Sequence, residues 1–204
     1  MTTFVLATHN AHKVEELRHI LGERLGHHQL IGYDGPEPVE DGDSFEANAL
    51  IKARAAAIFT GLPAIADDSG ICVDALDGAP GINSARYAGS RDDTDNYRLL
   101  LAKLEGVTDR AAQFVCAAAL VDLAALDTGA RRGHSSYEHT VRGTWPGTVL
   151  EAPVGAGGFG YDPVFRPDGL DISSAELTAD EKNTQSHRAR AFGLLVTALR
   201  ERYG

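Results

Sequence analysis

An apolar segment of this chain runs into two adjacent carboxylates: Leu62-Pro63-Ala64-Ile65-Ala66-Asp67-Asp68-Ser69-Gly70. Neighbouring anions repel each other, more strongly where water is scarce. Two of them at the end of a buried strand call for a cation, and hard divalent ions such as Mg²⁺ choose such oxygens and bring phosphates with them. Asp-Asp-Ser-Gly is equally good turn chemistry. This segment leaves both readings open.

Basic residues at two helix starts bear on the choice. A helix N-terminus carries partial positive charge and free N–H groups, so acidic side chains are favoured there. One helix here begins Asn10-Ala11-His12-Lys13, with Asn10 as N-cap. Another begins Ser186-His187-Arg188, with Lys182 just upstream and Arg190 just beyond. A cation in that place is favoured when an anion sits beside it, and phosphate suits both the N–H groups and the cation. The alternative is that Lys13 and Arg188 extend into solvent. Two such starts together with a carboxylate pair favour a polyphosphate site.

The stretch Gly155-Ala156-Gly157-Gly158-Phe159-Gly160 matches G-x-G-x-x-G literally. It lacks the preceding strand and following helix of a dinucleotide fingerprint, since Pro153 precedes it and Tyr161-Asp162-Pro163 blocks a helix. It reads either as a backbone loop closing on a flat ligand, with Phe159 stacking on a base, or as a plain glycine-rich loop with Phe159 in the core.

The elements that must position these residues follow from periodicity. Phe4–Ala7 is a short buried strand. Val14, Leu17, Ile20 and Leu21 share one helix face, with Gly22 near its end. Leu30–Tyr33 suits a second strand, followed by an acidic, proline-containing loop from Asp34 to Asp43. Ser44–Thr60 is Ala-rich and helical, with Asp43 or Ser44 as cap and Gly61 beyond its end. The Asp-Asp strand comes next, then a short return strand Ile71–Val73 and a long Gly/Pro-punctuated loop to Gly89. A helix over Asp95–Leu104, long strands over Ala111–Leu123 and Thr140–Glu151 with a polar excursion between them, and a last helix from Ser186 to about Arg202 complete the chain. Early strand–helix alternation with longer strands later predicts an α/β fold with a mixed sheet flanked by helices.

With 204 residues, 43% hydrophobic and 24% charged, the chain fits one domain over residues 1–204 with a real core. No apolar run approaches the roughly 20 residues of a membrane helix, and the start reads as a strand rather than a signal peptide. No membrane partner is expected. Cys72 and Cys116 lack metal-type spacing and read as small buried residues of a reducing compartment, which makes the cytoplasm the expected location. A net charge of −10 argues against a nucleic-acid polymer as partner.

In order along the chain, Thr8–Lys13; Ser44-Phe45, Asn48-Ala49 and Lys52-Ala53-Arg54; Ala66–Gly70; Gly78–Ile82 and Ser84–Tyr87; Gly157–Pro163; and Ala175–Leu177, Glu181-Lys182 and Ser186–Arg188 together resemble the inosine triphosphate pyrophosphatase family, also described as Ham1-like or RdgB-like. The ordered set is specific where any one piece is weak. The resemblance implies a Mg²⁺-dependent enzyme that converts ITP, dITP and XTP to monophosphate and pyrophosphate, clearing deaminated bases from the nucleotide pool. It also implies a homodimer with a long bent mixed sheet and a central cleft between two lobes.

By the same resemblance, Thr8, His9, Asn10, Ala11, His12 and Lys13 would cradle the phosphates, with Lys13 as the direct cation. Asp68 would be the catalytic carboxylate, bound to Mg²⁺ or acting as base for the attacking water. Glu40 falls where the family has a metal-linked glutamate, and Ser69 would touch substrate. Phe159 would stack on the purine, with Gly160, Tyr161 and Asp162 completing its loop. Lys182, His187 and Arg188 would hold phosphate and read the base oxygen. Two positions depart from the pattern: His9 stands where many members have a small residue, usually Gly, and Ala189 where Gly is frequent. Both bear on substrate preference.

Three other readings compete. One is a related pyrophosphatase of the Maf-like group. Another is an aspartyl-phosphate phosphatase, which wants Asp-x-Asp-x-Thr after an early strand, where this chain has Thr8-His9-Asn10. The third is a nucleotide sensor that binds without turnover.

Overall fold

The fold is a computed structural model that describes residues 1–123 and 137–204; of the polar excursion expected between the two long strands, 124–136 lies outside the described residues, and Tyr137–His139 belong to the second strand. The elements are β1 (Thr3–Leu6), α1 (Ala11–Leu21), β2 (Gln29–Gly32), α2 (Phe45–Thr60), β3 (Ala64–Val73), α3 (Asp93–Lys103), β4 (Ala111–Asp122), β5 (Tyr137–Val149), β6 (Phe165–Pro167), α4 (Ala179–Gln185) and α5 (His187–Tyr203). Six strands form one sheet in the order β2-β1-β3-β4-β5-β6. The pairs of β1 with β2 and β3 are parallel, while β5 with β6 is antiparallel, so the sheet is mixed as expected.

The helix signals act where they stand. Asn10 Oδ1 accepts from Lys13 N at 3.2 Å and Ser44 Oγ from Ala47 N at 3.3 Å, which caps α1 and α2. Gly61 ends α2 at φ 69°, where a Cβ would be strained. β6 and α4 carry too few apolar residues to stand out in the sequence.

One expectation needs correction. The Asp-Asp strand and its short return strand are a single continuous β3, and Asp67-Asp68 lie inside it rather than at its end. Gly70 is there for close approach, not for a turn: a Cβ on it would run into Ser84 Oγ and the Gly81 carbonyl. Ser84 Oγ accepts from Ile71 N at 3.0 Å and donates to Gly81 O at 2.7 Å.

The chain groups into two compact units. The first comprises Met1–Asp68, Ala117–Arg142 and Ala191–Gly204; the second comprises Ser69–Cys116 and Gly143–Arg190. The first unit buries Phe4, Leu6, Leu17, Leu21 and Ile65 with the alanine face of α2. The second buries Ile71, Leu100, Phe114, Trp145, Val164 and Phe165. Cys116 is buried and Cys72 only partly so, and neither is in a disulfide. Among the described residues, no helix is long and apolar enough to cross a membrane.

Candidate active site

In the first unit the connection from β1 through α1 leads to β2 on one side, and the return through α2 leads to β3 on the other. With right-handed crossovers, α1 and α2 then cover opposite faces of the sheet. The carboxyl end of β1 marks the switch point between it and β3, where open α/β sheets place ligands. β1 ends at Leu6 opposite Ile65, so Asp67 and Asp68 lie just past its end, level with the Thr8–Asn10 turn. That turn is shaped by its own side chains, with Thr8 Oγ1 accepting from Asn10 N at 3.2 Å.

Successive residues of a strand point to opposite faces. A different helix meets each carboxylate. Lys13 of α1 reaches Asp67 Oδ2 at 2.9 Å, and Lys52 of α2 reaches Asp68 Oδ1 at 3.2 Å. Asn48, one helical turn before Lys52, donates to Asp68 Oδ2 at 3.2 Å. Lys52 also holds Glu40 Oε2 at 3.0 Å, which brings the two carboxylates expected at a metal to one ammonium. Lys13 is thus offset by a carboxylate of the chain itself.

The electrostatics are those of a crowded, half-desolvated anion cluster. Burial pushes the Asp68 carboxyl above the usual carboxylate range; Lys52 and Lys13 oppose this, and Glu40 and Asp67 reinforce it. Burial acts to lower the Lys52 pKa, but Asp68, Asp67 and Glu40 outweigh it and the net direction is up. A carboxyl held above its ordinary range is suited to take a proton.

Among the described residues no group of three or more His, Cys, Asp or Glu side chains is gathered to hold a metal by itself. Mg²⁺ fits the cluster nonetheless, because it commonly takes one or two carboxylates and completes its shell with water and substrate phosphate. Asp68 and Glu40 are such a pair. The rest of the Thr8–Lys13 segment is placed unevenly. Ala11 and His12 open α1 on its exposed side. His9 turns aside: its Nε2 lies 2.9 Å from Gly35 O and its ring tilts against Tyr33 at 5.4 Å.

The second unit gathers the aromatic and cationic residues. Lys182 Nζ and the Arg188 guanidinium lie 5.0 Å and 5.1 Å from the Phe159 ring centre. Arg188 also donates to Ser69 Oγ at 2.7 Å. Lys182 pairs with Asp162 Oδ2 at 2.5 Å, and that same oxygen accepts from Phe159 N at 2.9 Å. Ser174 Oγ donates to Asp162 Oδ1 at 2.8 Å. Asp162 therefore shapes the loop from beneath. Tyr161 is core, its hydroxyl donating to Ser84 O at 2.9 Å, and burial raises its pKa. His187 is 2% exposed and stacks on Phe114 at 4.8 Å.

Lys52 and Asn48 both contact Asp68 and are absent from the site assignment made from sequence. Their signal was present: two polar residues at i and i+4 on an otherwise alanine-rich helix share one face, and that face meets Asp68.

A parallel switch point carrying a Lys/Asp/Glu cluster, with a separate aromatic ring contacted by two cations, defines an α/β protein built to handle phosphorylated, base-bearing molecules. The chain belongs to the Ham1 family, whose sequence profile matches residues 4–198. It is 52% identical over 203 residues to the dITP/XTP pyrophosphatase of Leifsonia xyli, covering 98% of this chain and 96% of that one. It is 50% identical to the dITP/XTP pyrophosphatase of Streptomyces coelicolor over the full length of both. Among solved structures, a HAM1 protein from Coxiella burnetii superposes with a TM-score of 0.84 at 38% identity, covering 98% of this chain and all of that one. The Staphylococcus aureus Ham1 protein gives 0.81 at 36% identity, covering 98% of each.

Proposed function

We propose that this protein hydrolyses deaminated purine nucleoside triphosphates, ITP, dITP and XTP, to monophosphate and pyrophosphate, and so clears them from the nucleotide pool. The observation that carries the reading is the buried Asp68 carboxylate, held by Asn48 and Lys52 with its pKa raised by burial. Relatives at about half identity named as dITP/XTP pyrophosphatases supply the substrate class.

Water attacks the α-phosphorus, and Asp68 accepts its proton. Lys13 and the α1 N-terminal amides hold the triphosphate, and Lys52 keeps Asp68 and Glu40 in place. Asp68 and Glu40 would hold Mg²⁺, which when bound neutralises charge on the leaving pyrophosphate. In the second unit Phe159 stacks on the purine, and Arg188 supplies a donor suited to a 6-oxo group. A site with such a required hydrogen bond rejects a 6-amino purine strongly. The working form is a homodimer in the cytoplasm. Neighbouring exposed Ile58 and Phe59 on α2 support a second copy, and Cys72 and Cys116, neither in a disulfide, support a reducing compartment. A net charge of −10 supports a small substrate over a nucleic-acid polymer.

With Mg²⁺, the purified protein is expected to show kcat/KM for ITP and XTP at least about 10²-fold above that for ATP. Equal turnover of ATP, or tight ITP binding without turnover, contradicts the proposal.

A further inference from the structure

The Phe159 side chain is aimed by its backbone, and two carboxylates fix that backbone. Asp162 Oδ2 accepts from Phe159 N at 2.9 Å, while Asp93 Oδ2 accepts from the next amide, Gly160 N, at 2.7 Å. These are the peptide planes on either side of the Phe159 Cα. Each residue has only two soft backbone dihedrals, and pinning both flanking planes sets them together. Gly158 and Gly160 both have positive φ, at 69° and 64°, so the loop around Phe159 has little stiffness of its own.

The two carboxylates differ in kind. Asp162 is buried and fixed by Lys182 and Ser174. Asp93 is exposed and reaches the loop from 67 residues away in sequence. It stands in the first turn of α3, where the N-cap is already filled by Asp92, whose Oδ1 accepts from Asp95 N at 2.9 Å. Capping therefore does not account for Asp93. Its platform is firm: Asn96, 1% exposed on the same helix, accepts from Ala88 N at 2.8 Å and donates to Ala85 O at 3.3 Å.

We infer that Asp93 is a positioning residue for base recognition, latching Gly160 so that Phe159 is pre-oriented to stack on the purine. The inference rests on the proposed function of the Phe159 group. Loss of the latch frees one side of the Phe159 backbone, and substrate binding must then bear the cost of ordering it. The phosphate-holding cluster of the first unit contains neither residue, so a phosphate chain without a base should not sense the change.

The test compares wild type, Asp93→Ala and Asp93→Asn for KM and kcat with ITP, for inhibition by inorganic tripolyphosphate, and for melting temperature. Asp93→Ala is expected to raise KM for ITP about fivefold at nearly unchanged kcat. The tripolyphosphate inhibition constant and the melting temperature should stay at wild-type values. Asp93→Asn keeps a side-chain oxygen acceptor and should recover most of the loss. An unchanged KM in Asp93→Ala overturns the latch, as does a parallel rise in the tripolyphosphate constant. Absence of ITP turnover in wild type instead overturns the functional reading, and the latch with it.

Discussion

Lys52 Nζ stands 3.2 Å from Asp68 Oδ1 and, through its contact with Glu40 at 3.0 Å, ties the two carboxylates of the first unit to one charge. Three carboxylates act on this ammonium, and together they hold its pKa above the ordinary lysine value despite burial. The cluster depends on Lys52 to tolerate an ionised Asp68.

Replacing Lys52 with Met should therefore lower kcat/KM for ITP at neutral pH by about 10²-fold. It should also move the acid limb of the pH–rate profile upward, because a cation that opposes the raised Asp68 pKa is gone. Steady-state kinetics across pH check both. Activity within a few-fold of wild type would remove Lys52 from the site.

Asp68→Asn should keep the fold and lose turnover by roughly 10³-fold or more. Its stability has a signed pH dependence. The folded protein holds the Asp68 proton more tightly than the unfolded chain, so Asp68 favours the folded state most below the ordinary Asp value. That contribution declines as pH rises from there through the raised folded value. Asn does not titrate. Metal-free thermal melts should show Asp68→Asn gaining on wild type through that window; the opposite slope would mean a depressed Asp68 pKa.

Lys182 and Asp162 form a buried pair at 2.5 Å with 9% and 3% of their side chains exposed. Lys182→Met alone leaves a buried carboxylate without its ammonium and should cost about 3 kcal/mol. Lys182→Met with Asp162→Asn should cost less than the single change. Chemical denaturation in a double-mutant cycle reads this. Simple additivity would show that Lys182 serves substrate alone.

His9 links the Thr8–Asn10 turn to Gly35 and Tyr33. His9→Gly should loosen the turn and raise KM for ITP and the tripolyphosphate inhibition constant together, each by about threefold. If both constants hold at wild-type values, the link has no part in phosphate binding.

These residues also show what the sequence makes legible. Caps such as Asn10 and Ser44 are local, and they act as their types predict. The Asp-Asp-Ser-Gly segment looks like a turn because the reason for Gly70, the approach of residues 81–84, lies in distant chain. Lys13 stands at a helix start and Lys182 just upstream of another, yet each meets a carboxylate of the chain that local spacing does not reveal. His187 packs on Phe114, a contact that local spacing does not reveal. Residue type and local spacing carry the elements and single out the carboxylate pair; long-range pairing decides which neighbours surround it.

The most direct test of the central claim is hydrolysis of dITP by the Mg²⁺-supplemented protein in ¹⁸O-labelled water, with products separated and weighed by mass spectrometry. The account predicts dIMP carrying the label and unlabelled pyrophosphate, as attack at the α-phosphorus requires. Label in the pyrophosphate, or inorganic phosphate as the first product, would contradict it.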